Sequence, residues 1–154
     1  MSNSDNSPLR KRSPVPLCDC GMAAAAEVIG DRWTLLILRE AFYGVMRFDD
    51  MLSDLGISRS VLTDRLSKLV RSGILTRFAY REDNDRERFA YGLTEEGREL
   101  GIVLLALMQW GNDRVHGGAK YGLNERPGGL PVRVALLNNQ GREVEPDAIE
   151  VSRL

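Results

Sequence analysis

A helix-like segment closed at Gly56, a second helix freshly capped by Ser58, and two strand-like runs flanking Arg81-Glu82-Asp83-Asn84-Asp85-Arg86-Glu87 predict a mostly α fold with a small β wing. Two helices across a short glycine-containing turn, followed directly by a hairpin, form the winged helix-turn-helix arrangement. A long dimerisation helix and a C-terminal β-hairpin extension complete the expected architecture. The expected divisions are an N-terminal arm over residues 1–16, the winged domain with its dimerisation helix over 17–116, and a linker with hairpin over 117–154.

Taken in order, residues 1–16 are rich in Ser, Asn and Pro, carry Arg10-Lys11-Arg12, and read as an arm without helix. Residues 22–29 are alanine-rich, a strong helix former, and Gly30 supplies a stop. Asp31 caps a second helix over 32–43, with Leu35, Leu36, Leu38, Ala41 and Phe42 at helical spacing. A third helix fits 48–55, where Phe48, Met51, Leu52 and Leu55 share a face. The fourth starts at Ser58, carries the stripe Leu62, Leu66 and Leu69, and ends by Gly73. Strands are expected over 74–80 and 88–93. Thr94 then caps a fifth helix with Glu95 and Glu96 in its first turn, where the helix dipole favours acids. Beyond Gly117 the sequence turns to Gly and Pro, and a hairpin is expected with strands near 132–137 and 143–145 around Asn138-Asn139-Gln140-Gly141.

At 43% hydrophobic and 28% charged residues the composition is that of a globular domain, and the formal charge of −1 supplies no global basic field. What steers a polyanion is the local patch. No run approaches the roughly 18–20 apolar residues of a membrane span, and the polar start of the chain does not resemble a signal peptide, so a cytoplasmic location without membrane association is expected. Cys18 and Cys20 form C-x-C with one distant histidine, His116, too few ligands for a four-coordinate zinc, so no metal and no cofactor are expected. Catalysis is not expected either: there is no Ser/His/Asp ordering and no glycine-rich phosphate loop, and Asp49-Asp50, adjacent on a helix, point in different directions.

The fourth helix presents a face suited to DNA. At about 100° per residue, Ser60, Asp64, Ser67 and Arg71 gather opposite the leucines, with Thr63 at the edge and Ser58 and Arg59 in the first turn. Small hydroxyl side chains let a helix sit deep in the major groove, and arginine reads guanine edges. Lys68 completes the candidate set on this helix. In the wing, Arg81, Arg86 and Arg88 are candidate phosphate contacts, opposed by the acids between them, and Arg47 at the head of the third helix is a candidate backbone contact. A solvated helix face and a merely soluble loop are the competing readings. Arg65 points nearer the apolar side and reads as a structural ion pair. On the fifth helix Leu100, Val103, Leu104, Leu107 and Met108 form an apolar face too broad for a small three-helix core, and are expected to form a homodimer interface.

The run Val28-Ile29-Gly30-Asp31-Arg32-Trp33-Thr34-Leu35-Leu36-Ile37-Leu38-Arg39-Glu40, then Arg47-Phe48, Gly56-Ile57-Ser58, Val61-Leu62-Thr63-Asp64-Arg65-Leu66 and Tyr91-Gly92-Leu93-Thr94-Glu95-Glu96-Gly97, resembles the HxlR family of bacterial winged-helix regulators. The resemblance implies a homodimer that binds a pseudo-palindromic operator in double-stranded DNA and responds to a redox, electrophile or small-molecule signal. It also places a cysteine at Cys20, which is thereby the candidate redox sensor, against the alternative of an inert packing thiol. The sequence departs from the family pattern in lacking a proline after that cysteine, in the extra Cys18 and in the C-terminal extension. A winged helix used only for protein interaction, without DNA binding, is the rival reading.

Overall fold

The computed structural model describes Ser13, residues 15–82 and residues 86–152. The arm's Arg10-Lys11-Arg12 and the wing tip at Asp83-Asn84-Asp85 lie outside the described residues. The chain divides after Glu96 into two compact units.

The first unit opens with a 3-10 turn at Leu17–Asp19 and runs through α1 (Gly21–Ile29), α2 (Arg32–Phe42), α3 (Phe48–Leu55), α4 (Arg59–Arg71), β1 (Leu75–Tyr80) and β2 (Arg88–Leu93). Each helix boundary has a local cause. Gly30 closes α1 with right-handed backbone, φ −73°, and its requirement is space: a Cβ there would collide with the Ala26 carbonyl oxygen. Asp31 caps α2, its carboxylate accepting from the backbone N–H of Trp33 and Thr34 at 3.1 Å each. Gly56 ends α3 in the left-handed region, φ 59°, a conformation that costs a residue with a Cβ about 1–2 kcal/mol. Ser58 caps α4 by accepting from the Val61 N–H at 3.4 Å.

The core forms where α2 packs against α3, α4 and β2, and α4 against β1. Ile37, Leu38, Met51, Leu62, Leu66 and Leu69 are completely buried in it. Thus the apolar stripe of α4 faces inward and fixes which side of that helix meets solvent. Arg65 is the structural residue expected. Its Nε donates to Asp31 at 2.9 Å and its guanidinium also pairs with Asp64, locking the start of α2 to the middle of α4. Partial burial pushes the Asp31 carboxyl up, but hydrogen bonds from Thr34 and Arg65 outweigh that and hold it below the ordinary aspartate value.

β1 and β2 form one antiparallel ladder, Leu75 opposite Leu93, Phe78 opposite Ala90 and Tyr80 opposite Arg88. A feature the sequence did not announce widens this wing. Arg47 pairs with Ala90 in an isolated antiparallel bridge and the Tyr91 N–H donates to the Met46 carbonyl at 2.8 Å, so the residues before α3 are bonded to the edge of β2. Wing and helix-turn-helix are thereby joined through backbone.

The expected long helix, which begins at the end of the first unit and continues into the second, is interrupted. α5 (Glu95–Glu99) gives way to α6 (Gly101–Asn112) at Leu100, whose N–H reaches back three residues to Gly97 at 3.3 Å. Glycines at 97 and 101 each lower helix propensity by about 1 kcal/mol relative to alanine, which is why the break falls there. The C-terminal extension pairs less than the sequence suggested. The Asn138–Gly141 turn forms, with Asn138 N–H donating to Arg142 at 2.9 Å and Val144 N–H to Leu136 at 2.9 Å, but the ladder is one isolated bridge, Leu137 to Glu143. The segment after Glu145 winds into a 3-10 turn at Pro146–Ala148, because proline presets helical φ and has no N–H for a ladder. The expected linker contains a second tight loop, closed by an Asn124 to Pro131 bridge. No helix among the described residues is long and apolar enough to cross a membrane.

Candidate nucleic-acid interface

With Leu62, Leu66 and Leu69 inward, α4 exposes Arg59, Ser60, Thr63, Asp64 and Arg71, most of the predicted face. Ser58 is exposed at the cap, its hydroxyl 3.2 Å from that of Ser60. Ser67 is half-buried. Lys68 is turned elsewhere: its ammonium donates to the Glu27 carbonyl at 2.6 Å, near the C-terminal end of α1, where free carbonyls and the helix dipole attract a cation. The structure therefore does not bring Lys68 to the exposed face.

The arginines around α4 are held by acids of the same unit. Arg59 donates to Asp49 of α3 at 3.1 Å and lies over the Phe48 ring at 5.6 Å. Arg88 of β2 approaches the other oxygen of the same carboxylate at 3.8 Å. Arg47, the N-cap of α3, pairs with Glu82 of the wing and stacks over Tyr80 at 5.3 Å. Arg81 pairs with Glu87 at 3.4 Å, and Arg77 lies over Phe89 at 3.9 Å. Arg86 is exposed at the edge of the described wing and makes contacts of its own. Exposed pairs of this kind contribute about 0–1 kcal/mol each, so they orient the guanidinium groups without locking them away. Phe48, Asp49, Arg59, Tyr80, Arg88, Phe89 and Tyr91 line a cleft of about 170 Å³ between the helix-turn-helix and the wing. Asp49, Tyr80 and Glu82 were not read as interface residues from sequence. Their partners stand up to tens of positions away, and no spacing rule connects them.

Cys18 is exposed and Cys20 half-buried at the N-cap of α1, and both are free thiols. Among the described residues no cluster of His, Cys, Asp or Glu is arranged to hold a metal. In the second unit none of α6 is buried: Ile102 and Trp110 are 61% exposed, Val103 40% and Leu107 45%, while Leu100, Leu104 and Met108 are half-buried. Gln109 clamps the backbone of Val134 from both sides, accepting from its N–H at 2.8 Å and donating to its carbonyl at 3.0 Å, and Asn112 donates to the Tyr121 carbonyl at 3.3 Å. These two amides tie the C-terminal extension to α6.

A freshly capped helix standing on a buried leucine stripe, with a hairpin of arginines beside it, defines a winged helix-turn-helix protein. Residues 28–118, more than half of the chain, match the HxlR-like helix-turn-helix family, and the chain belongs to that family. Rv3095 of Mycobacterium tuberculosis, named as an uncharacterized HTH-type transcriptional regulator, is 44% identical over 110 residues, which are 71% of this chain and 63% of that protein. The match thus spans less than two thirds of the length of the mycobacterial relative. Among solved structures, PA1607, named as a candidate transcription factor, superposes with a TM-score of 0.75 at 34% identity over 87% of this chain and 94% of its own. The oxidized form of the redox regulator HypR gives 0.55 at 27% identity, over 61% of this chain and 96% of its own.

Proposed function

We propose that this protein is a transcriptional regulator that binds double-stranded DNA as a homodimer on a pseudo-palindromic operator, with α4 in the major groove. The observation that carries this reading is the exposed row Arg59, Ser60, Thr63 and Arg71 on a helix whose other side is completely buried. Ser58, with Ser67 at the margin, belongs to the same surface, and the wing arginines Arg81, Arg86 and Arg88 and the α3 cap Arg47 are the phosphate contacts. The apolar surface of α6 is the dimer seam, and two-fold symmetry sets the two reading helices on the order of 34 Å apart. The names of the relatives favour the same reading. A cytoplasmic location follows from a DNA partner.

A site selected from random DNA supplies the test. Replacing Arg59 or Thr63 by alanine should cost about 1–3 kcal/mol at that site wherever the residue reads a base, and less on random duplex. Arg86→Ala should instead weaken all sequences alike and flatten the salt dependence. A double Arg59/Thr63 variant that binds the selected site like the wild type would show that α4 does not read it. Failure to select any site would favour the protein-interaction reading.

The second reading concerns the signal. Cys20 stands at the head of α1, partly accessible, and HypR is a redox regulator. We infer that oxidation of this thiol modulates DNA binding. Peroxide or diamide treatment should change the gel shift of the wild type and leave a Cys20→Ser variant unaffected. An unchanged wild-type shift would make Cys20 a packing residue and point to a small-molecule effector instead.

A further inference from the structure

Asp49 is an acid set in the middle of a surface offered to a polyanion. Its two carboxylate oxygens hold two arginines from different elements, Arg59 at the start of α4 and Arg88 on the wing strand, at 3.1 and 3.8 Å. Phe48 backs the Arg59 guanidinium, and Phe48, Tyr80, Phe89 and Tyr91 line the cleft that contains all three charged groups. Asp50, its chain neighbour, lines a different cleft with Gly44, Val45 and Met46. Of these two adjacent acids, Asp49 is therefore the one that faces both α4 and the wing.

We propose that Asp49 is a specificity-determining positioning residue, holding Arg59 in its base-reading geometry beside the phosphate-contacting Arg88 and penalising binding to DNA that offers only phosphate contacts. This inference rests on the DNA-binding reading of α4. A guanidinium carries five donors in a rigid fork. Arg59 can keep one edge on Asp49 while its other edge donates to the O6 and N7 of a guanine, so a cognate site uses the geometry already built. A phosphate-only encounter recruits the same cations differently. It pulls Arg59 off the carboxylate and leaves the negative charge of Asp49 less compensated next to the DNA backbone. Non-cognate binding bears that repulsion without a base contact in return.

The consequence is read in two numbers, the ratio of selected-site to random-duplex affinity and the salt slope of random binding. Each arginine freed to meet a phosphate adds about 0.9 to the slope of log affinity against log salt, equivalent to about fivefold tighter binding at 0.15 M salt. Asp49→Asn should therefore bind a random duplex about fivefold tighter or more and steepen the slope by about one. Its affinity for the selected site should gain less, so that the ratio falls. Asp49→Glu keeps the charge and should restore most of the ratio, which a purely structural defect at this position would not do. Asp50→Asn removes the same charge one position along α3 and should leave the ratio near the wild-type value.

A wild-type ratio and slope in Asp49→Asn would overturn the proposal, as would equal changes in Asp50→Asn. Arg59→Ala run alongside separates the two levels of the argument. If Arg59→Ala weakens the selected site while Asp49→Asn changes nothing, the role of Asp49 falls and the reading of α4 stands. If Arg59→Ala binds the selected site like the wild type, α4 does not read it through Arg59, and the proposal for Asp49 falls too.

Discussion

Replacing Leu104 by aspartate is expected to abolish the proposed dimer, giving monomer or insoluble protein where the wild type is expected to sediment as a dimer at micromolar concentration. α6 is apolar on every side from Gly101 to Met108, and its first polar side chain is Gln109. That amide is committed to the Val134 backbone. Leu104 and Met108 are half-buried, and Ile102, Val103, Leu107 and Trp110 around them are exposed. Packing two such helices across a two-fold axis puts each Leu104 in the seam, and symmetry doubles any charge introduced there. Desolvating an unpaired carboxylate costs several kcal/mol even after relaxation, and two of them exceed what the remaining leucines of a short helix offset. A wild-type monomer at micromolar concentration, or an aspartate variant that associates as tightly as wild type, would remove α6 from the interface. Leu104→Met, similar in volume, should remain dimeric.

Leu66→Ala is expected to destabilise the first unit by about 2–5 kcal/mol, measured as a fall in the urea midpoint with the slope of the transition unchanged. Leu66 is completely buried, with Leu62 one turn before it and Leu69 one turn after. The penalty grows with the cavity that remains after the neighbours relax, and Leu62 and Leu69 beside it are themselves completely buried. Ser60→Ala on the opposite, exposed side should change the stability by less than about 0.5 kcal/mol. A Leu66→Ala loss below about 1 kcal/mol would mean that α4 is not seated by its leucine stripe.

The helix boundaries of the first unit were legible because local signals agreed with the packing. Asp31 and Ser58 cap the helices that their positions suggested, and Leu62, Leu66 and Leu69 form the buried stripe that their spacing required. Strand limits were legible to within a residue, Leu75 rather than Ile74 opening β1. Side-chain partnership across the fold was not legible. Nothing near Lys68 in sequence says that its amine ends on the Glu27 carbonyl, and nothing near Arg47 foretells its pairing with Glu82, since long flexible cations find partners set by tertiary placement. Asp49 was noticed only as half of an adjacent acid pair, and its position between two arginines depends on how the wing folds back. In the extension, alternation from Val132 onward suggested strands, but the glycine and proline residues distributed through 117–146 keep the segment to isolated bridges tethered by Gln109 and Asn112.

The tie between Lys68 and Glu27 makes α1 a cantilever. Near its C-terminal end the helix is anchored by buried Ile29 and by the Lys68 ammonium, whereas Gly21, Met22 and Ala24 to Ala26 face solvent. Nine residues at about 1.5 Å each give an arm of about 13 Å, and the half-buried Cys20 thiol sits at its loose tip. Lys68 lies three residues before Arg71 on α4, so the contact that fixes the arm adjoins the face proposed to read DNA.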